Sequence, residues 1–197
     1  MTDEAVRSRT ELTIAPPDLL DRAAEAALEL AGDRPWSQIA LRDIARAAGV
    51  SLVELYARAP SKGALLDRLS TQLDALAIEA GEVETAPDPH DRLFEVTMAR
   101  LEAMAPRRVL LIAIGRAEGV IAMAPRLART ARALLEAAGL DTSGPEGRLR
   151  VVAMTVVWAR TLQVWRDDEG ALNRTMAEID RRLKQMRDQL GRIGAGF

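Results

Sequence analysis

Residues 39–66 read IALRDIARAAGVSLVELYARAPSKGALL, and their pattern predicts two short helices joined by a tight turn. The first helix carries apolar residues at helical spacing and ends where Gly49 supplies a left-handed residue. Ser51 can cap the second helix, because its side-chain oxygen can accept a hydrogen bond from a free amide in the first turn. Pro60 ends that helix. Two helices joined in this way form a helix-turn-helix unit, whose second helix can lie in the major groove of DNA.

Four short fragments of this stretch occur in register in a known family. They are Arg-Asp-Ile-Ala at 42–45, Ala-Gly-Val-Ser at 48–51, Leu-Tyr at 55–56 and Pro-Ser-Lys at 60–62. On these fragments the chain resembles the TetR family of bacterial transcriptional regulators. The resemblance implies an all-α, TetR-like fold. Its N-terminal three-helix unit would contain the helix-turn-helix, and its C-terminal helical bundle would serve dimerisation and ligand binding.

The resemblance also indicates which residues contact DNA. Tyr56 and Lys62 occupy positions that contact phosphates in the family. After the capping serine the chain departs from the family, which often has a basic residue, a Gly and a Thr where this chain has residues 52–54. Glu54 could accept a hydrogen bond from a cytosine amino group or face a phosphate, and we expect the second and therefore repulsion. The predicted DNA-binding residues are Arg42, Ser51, Leu52, Val53, Glu54, Tyr56, Arg58 and Lys62.

The composition favours a helical protein without the usual catalytic groups. Of 197 residues, 48% are hydrophobic and 3% aromatic, and no window shows the alternation of a half-buried strand. The chain has no Cys, one His and no Gly-rich phosphate loop, so we predict no enzyme activity, no cofactor and no metal site. No apolar run reaches the roughly 18 residues of a membrane span, and we expect a cytoplasmic protein without stable membrane insertion.

The overall charge of the N-terminal part does not favour DNA binding. The chain has a net charge of −2, and its first 66 residues contain eight basic and ten acidic side chains. Phosphate contacts usually need a basic surface. Arg42, Arg46, Arg58 and Lys62 all lie within the motif, however, so positive charge can still cluster there.

Helix breakers and helical periodicity divide the chain into three parts. We predict a flexible arm at residues 1–15, a helix-turn-helix domain at 16–60 and a ligand-binding and dimerisation domain at 61–197. Within the last part, Gly115 and Gly119 interrupt the apolar residues 107–122, where we expect a short helix or two with a bend, and we expect a further helix after Pro125.

The last predicted helix, residues 172–192, places apolar residues at alternating steps of four and three. This seven-residue repeat is typical of a seam in an antiparallel bundle or a coiled coil. In the TetR family the last two helices commonly pair with those of a second copy, so the resemblance implies a homodimer that binds a palindromic site in double-stranded DNA. The predicted interface residues are Leu172, Met176, Ile179, Leu183, Met186 and Leu190.

Residues 157–168 and 179–183 resemble the C-terminal part of the lipid-binding ubiquinone-biosynthesis proteins, which share the TetR fold but do not regulate transcription. Both resemblances imply a cavity between the C-terminal helices. Its apolar lining would suit a hydrophobic or amphipathic small molecule such as an acyl or isoprenoid compound. Trp158 and Trp165 could instead be packing residues of the core or of an interface. The predicted lining consists of Phe94, Met98, Leu101, Met154, Trp158, Thr161 and Trp165.

Three functions are compatible with these patterns. One is a transcriptional repressor that binds DNA as a homodimer and is released by a hydrophobic effector. The second is a TetR-fold lipid-binding accessory protein with a degenerate helix-turn-helix and no DNA binding. The third is a regulator that binds another protein. We favour the first, because four fragments of the helix-turn-helix agree in register with the regulators.

Overall fold

The computed structural model describes residues 18–83, 86–168 and 172–197, which form eight α-helices and two short 3-10 turns. The helices are α1 (Leu19–Asp33), α2 (Leu41–Ala47), α3 (Leu52–Arg58), α4 (Lys62–Val83), α5 (Pro89–Met104), α6 (Arg108–Ala137), α7 (Gly144–Arg166) and α8 (Asn173–Arg192). These residues contain no strand, and the predicted all-α fold is confirmed. The predicted arm at residues 1–15 lies outside the described residues. None of the helices in the described ranges is long and apolar enough to cross a membrane.

Helices α1, α2 and α3 pack around a small core at the start of the described chain. Asp18 caps α1, because its side chain accepts a hydrogen bond from the Leu19 amide at 2.6 Å. Leu28, Ile44 and Leu55 contribute one side chain each from α1, α2 and α3, and all three are almost completely buried. This shared core fixes the angle between the two helices of the helix-turn-helix.

Helix α4 connects this unit to the larger bundle. It packs against α1, α5 and α6, and its buried face carries Leu65, Leu66, Leu69, Leu73 and Ala77. The far end of α4 lies very close to α6, because a Cβ on Gly81 would come within 2.4 Å of the Ala137 carbonyl oxygen. Glycine is therefore the residue that allows these two helices to approach at this point.

Helix α6 bends at Gly119, whose φ of 77° and ψ of 168° are not helical. A positive φ favours glycine, because a side chain would crowd the backbone there. The bend predicted within residues 107–122 is therefore present at the second of the two glycines, whereas the prediction that a new helix starts after Pro125 is wrong. The second half of α6 already includes Pro125. Val120 and Ile121, just after the bend, are 78% and 92% exposed.

Helices α7 and α8 pack against each other, and a residue that follows α7, Asp168, caps the first turn of α8. The Oδ2 atom of Asp168 accepts hydrogen bonds from the Thr175 amide at 2.8 Å and from the Thr175 hydroxyl at 2.7 Å. The hydrogen bond from the hydroxyl is the main reason that the pKa of Asp168 lies below its ordinary value. The carboxylate thus joins the end of α7 to the start of α8.

The seven-residue seam of α8 faces the interior of its own chain. Ile179 and Leu183 are fully buried, and Met186 and Leu190 are nearly so, within a single protomer that packs α8 against α5 and α7. These four predicted interface residues are therefore covered by helices of their own chain, and their contact with a second copy stays a prediction. A repeat of this period marks a buried helix face, but it does not tell whether the facing helix belongs to the same chain. Of the other two predicted interface residues, Met176 is 40% exposed and Leu172 is half-buried.

Candidate DNA-binding surface and ligand cavity

The turn between α2 and α3 has the geometry that the sequence predicts. Gly49 has a φ of 63°, and the Val50 amide returns to donate to the Ala45 carbonyl at 3.0 Å, which closes α2. Ser51 then caps α3, because its Oγ accepts a hydrogen bond from the Val53 amide at 3.2 Å. The two helices are thereby held as a compact helix-turn-helix unit.

Helix α3 presents one side to solvent and the other to the core. Leu55 anchors it with no exposed surface, and Leu52 is half-buried against the core. On the opposite side Val53 is 79% exposed and Tyr56 is 60% exposed, and Glu54 is exposed beside them. Leu52 is therefore a packing residue, and the exposed side chains of α3 include Val53, Glu54 and Tyr56.

The basic residues of this region differ in how freely they can contact DNA. The side chain of Arg42 on α2 is exposed and forms no hydrogen bond or ion pair with the described residues, whereas Arg58 pairs with Asp18 at 3.1 Å. The Lys62 ammonium donates to the Trp36 carbonyl and lies 4.6 Å from the centre of the Trp36 ring. Burial lowers the pKa of this ammonium. The Lys62 ammonium therefore contacts Trp36 in this structure, and it would have to leave Trp36 to form the predicted phosphate contact.

A cavity lies between α4, α5, α6 and α7. Its inner part has a volume of about 110 Å³ and is bordered by Arg100, Thr130 and Trp158. Its outer part has a volume of about 550 Å³ and extends past the bend at Gly119 to exposed residues such as Arg116. The two parts, named the inner and the outer cavity below, share a largely apolar wall formed by Met104, Leu111, Gly115, Met123, Leu127 and Leu162.

The structure brings only two of the predicted lining residues to this cavity. Trp158 borders the inner cavity, Trp165 borders the outer cavity, and both side chains are buried. The other five do not border it and instead pack between α5, α7 and their neighbours; they are Phe94, Met98, Leu101, Met154 and Thr161. The prediction placed the cavity between α5 and α7. The side chains on those two helix faces are packed in the core and leave no room for a ligand there. The cavity lies instead beside the bend in α6.

Polar groups that sequence reasoning missed border the inner cavity. Arg100 is 3% exposed, and its Nε donates to Asp74 Oδ1 at 2.8 Å. The Thr130 hydroxyl donates to the same oxygen at 2.9 Å. Burial lowers the pKa of Arg100, and the charge of Asp74 opposes that change. A signal was present in the sequence, because Arg100 and Asp74 interrupt the apolar stripes of α5 and α4 with opposite charges.

The surface of α7 carries an exposed apolar stripe. Leu149, Val152 and Val156 follow each other at steps of three and four residues and are 45%, 63% and 55% exposed. At these steps the three side chains share one helix face. An exposed apolar row of this kind marks a candidate protein interface.

Comparison with known proteins agrees with this architecture. Residues 24–69 match the model of a family described as bacterial regulatory proteins, tetR family. The chain is similar to a TetR transcriptional regulator from Nitrosomonas europaea, with 25% identity and a TM-score of 0.64 over 86% of this chain and 98% of that chain. A TetR transcriptional regulator from Rhodococcus is 22% identical, with a TM-score of 0.63 over 84% of this chain and 93% of that chain.

A third solved structure shares the fold at a greater distance. It is a TetR family repressor from Dietzia implicated in biodegradation of n-alkanes, with 16% identity and a TM-score of 0.50 over 89% of this chain and 95% of that chain. No curated protein matches the chain. These comparisons give no support to the resemblance with ubiquinone-biosynthesis proteins. Residues 24–69 therefore match the tetR family of bacterial regulatory proteins, and the described chain shares the fold of solved TetR regulators.

Proposed function

We propose that the protein is a transcriptional repressor that binds a palindromic site in double-stranded DNA as a homodimer and is released by a hydrophobic effector. The exposed face of α3 carries this proposal. Val53, Glu54 and Tyr56 project from the second helix of a well-capped helix-turn-helix, and Arg42 on the helix before it has no ion pair within the described part of the chain. This arrangement supports entry of α3 into the major groove with Arg42 at a phosphate.

The homodimer is proposed on a different helix face from the one that the sequence suggested. The stripe of Leu149, Val152 and Val156 on α7 is the exposed apolar surface next to α8, whose Met176 is also partly exposed. Pairing of this surface with its copy around a two-fold axis buries the stripe on both protomers. Two helix-turn-helix units then reach two half-sites of one palindrome.

The effector is proposed to occupy the inner and outer cavities. The outer cavity has a volume within the range of about 300–1,000 Å³ that is common for small-molecule sites. Flexible methionines and leucines form most of the wall between the two parts, with Trp158 and Trp165 at either end. Such a lining favours a hydrophobic or amphipathic molecule.

Fluorescence anisotropy with the DNA upstream of the protein's own gene tests DNA binding, provided that the salt concentration is varied and stated. Arg42→Ala should weaken binding to every sequence and reduce the slope of log affinity against log salt by about one unit. Lys62→Ala should leave that slope unchanged, because its ammonium is held by Trp36. Arg192→Ala, an exposed arginine at the end of α8, is the control.

The outcomes separate the proposed functions. Saturable binding that depends on Arg42 supports the repressor. If the protein binds the upstream DNA no better than unrelated DNA, and Arg42→Ala changes neither affinity, the DNA-binding function is wrong. A reduced salt slope in Lys62→Ala would show that Lys62 leaves Trp36 to contact a phosphate.

A further inference from the structure

The inner cavity contains a buried guanidinium group with a free donor. Arg100 is 3% exposed, and it borders the inner cavity beneath the ring of Trp158, whose centre lies 5.7 Å from the guanidinium carbon. The Nε atom is bonded to Asp74, but the buried Nη1 atom has no hydrogen-bond partner among the described residues. A buried donor without a partner is costly, so a ligand atom that accepts from Nη1 gains free energy.

The charge of Arg100 is already balanced. Asp74 is 4% exposed, and its Oδ1 atom accepts from both Arg100 and the Thr130 hydroxyl. A carboxylate ligand at Nη1 would add a second buried negative charge to this neutral pair, and an unpaired buried charge is strongly unfavourable. A neutral oxygen, such as that of a hydroxyl or carbonyl group, can accept from Nη1 without adding charge.

The rest of the inner cavity is mainly apolar. Leu66, Leu69, Leu73 and Ile114 border it, and the shared wall continues the apolar surface into the outer cavity. Two further hydroxyl groups, of Ser70 and Thr130, lie 3.4 Å apart on the same border. The ion pair of Glu118 and Arg126 also borders the inner cavity, and the apolar path along the shared wall to the surface suits a hydrocarbon chain.

We propose that the inner cavity binds the neutral, oxygen-bearing end of a long-chain alcohol or ketone, with Arg100 donating a hydrogen bond from Nη1 to that oxygen. The chain extends along the shared wall into the outer cavity. This inference rests on the proposed function, in which the two cavities hold the effector, and it adds the chemical class and the orientation of that molecule.

The outer cavity provides the contrasting site for a fatty acid. Arg116, Arg160 and Arg166 border it, and none of the described residues that line it is an Asp or a Glu. Arg160 donates to Gln163 and Arg166 pairs with Asp167, while the Arg116 side chain forms no bond with the described residues. A carboxylate would remain hydrated and find a cation there, so a fatty acid is expected to depend on Arg116 and an alcohol on Arg100.

Displacement of a polarity-sensitive dye by 1-decanol, decane and decanoate distinguishes these possibilities. The test compares the wild type with Asp74→Leu/Arg100→Met, which replaces the buried pair by apolar groups, and with the control Arg116→Met. Because a hydrogen bond to a charged group is involved, the ratio of decanol to decane affinity should be about tenfold higher in the wild type than in the double variant. Arg116→Met should keep the wild-type ratio.

Decanol and decane differ in their solubility in water, and this difference cancels when the ratio of their affinities is compared between the wild type and a variant. An equal ratio in the wild type and the double variant overturns the inference. It is also overturned if decanoate binds most tightly and depends on Arg100. In either case binding of decane still supports an apolar effector site. If none of the three probes displaces the dye from any variant, both the inference and the proposed effector site are wrong.

Discussion

The buried pair of Arg100 and Asp74 should make a large contribution to stability when only one partner is removed. Arg100→Met keeps most of the side-chain volume but leaves the Asp74 carboxylate without its counter-charge. The two side chains are 4% and 6% exposed, and the hydrogen bond from the Thr130 hydroxyl is the one that would remain to Asp74 Oδ1. Among the described residues, Arg100 is the cation that pairs with Asp74.

The magnitude follows from the geometry. Two unit charges about 4 Å apart attract each other by about 4 kcal/mol at an effective dielectric constant of about 20. Removing one partner of a buried pair accordingly costs about 3–5 kcal/mol. Arg58 and Asp18 provide the matched contrast, because their side chains are 56% and 45% exposed, and an exposed pair contributes about 0–1 kcal/mol.

Urea unfolding followed by circular dichroism, at one fixed protein concentration, measures these differences. Arg100→Met should lower the free energy of unfolding by about 3–5 kcal/mol. Arg58→Met should lower it by less than about 1 kcal/mol. The double variant Asp74→Leu/Arg100→Met should recover most of the loss, because a buried pair can be replaced by apolar groups at little cost. A loss below about 1 kcal/mol in Arg100→Met, or an equal loss in the double variant, would refute this account.

Three other predictions concern the interface, a close backbone contact and a helix cap. Val152→Glu should convert the proposed dimer to a folded monomer in sedimentation, since Val152 is 63% exposed, whereas Ile179→Glu should unfold the chain, since Ile179 is fully buried; a dimeric Val152→Glu protein would contradict the proposed α7 interface. Gly147→Ala should destabilise the fold by about 1–3 kcal/mol through overcrowding, because its Cβ would lie 2.2 Å from the Thr142 carbonyl carbon, while Gly191→Ala, with no neighbour within 4 Å, should not; thermal melting compares the two. Asp168→Asn should lower the melting temperature at pH 7, and the difference from the wild type should shrink as the pH falls below about 4. The pKa of Asp168 is lowered in the folded state, so its contribution is present above the unfolded pKa and is lost as the pH falls through the folded pKa; a constant difference would refute the role of the carboxylate charge.

The helix-turn-helix could be predicted from the sequence because its signals are local. Gly49 ends one helix and Ser51 starts the next, and both act on residues within one turn. The position of the cavity could not be predicted in the same way, because it depends on how α4, α6 and α7 pack around the bend at Gly119. Apolar residues that repeat every 3.5 positions indicate that a helix face is buried. The repeat does not identify the facing helices, which for α8 are α5 and α7 of the same chain.

Helix α4 joins the proposed DNA-binding unit to the proposed effector cavity. Leu69 borders the inner cavity, and its neighbours Arg68 and Gln72 donate hydrogen bonds to Asp21 of α1 at 2.8 Å and 2.7 Å. Because these three side chains belong to one turn of a rigid helix, a ligand that displaces Leu69 also moves the two donors relative to α1. A tenfold loss of DNA affinity requires about 1.4 kcal/mol of coupling. The net contribution of one hydrogen bond is of that order, so weakening one of the two bonds to Asp21 in the ligand-bound form is sufficient. By linkage, bound DNA must then lower the affinity for the ligand by the same factor.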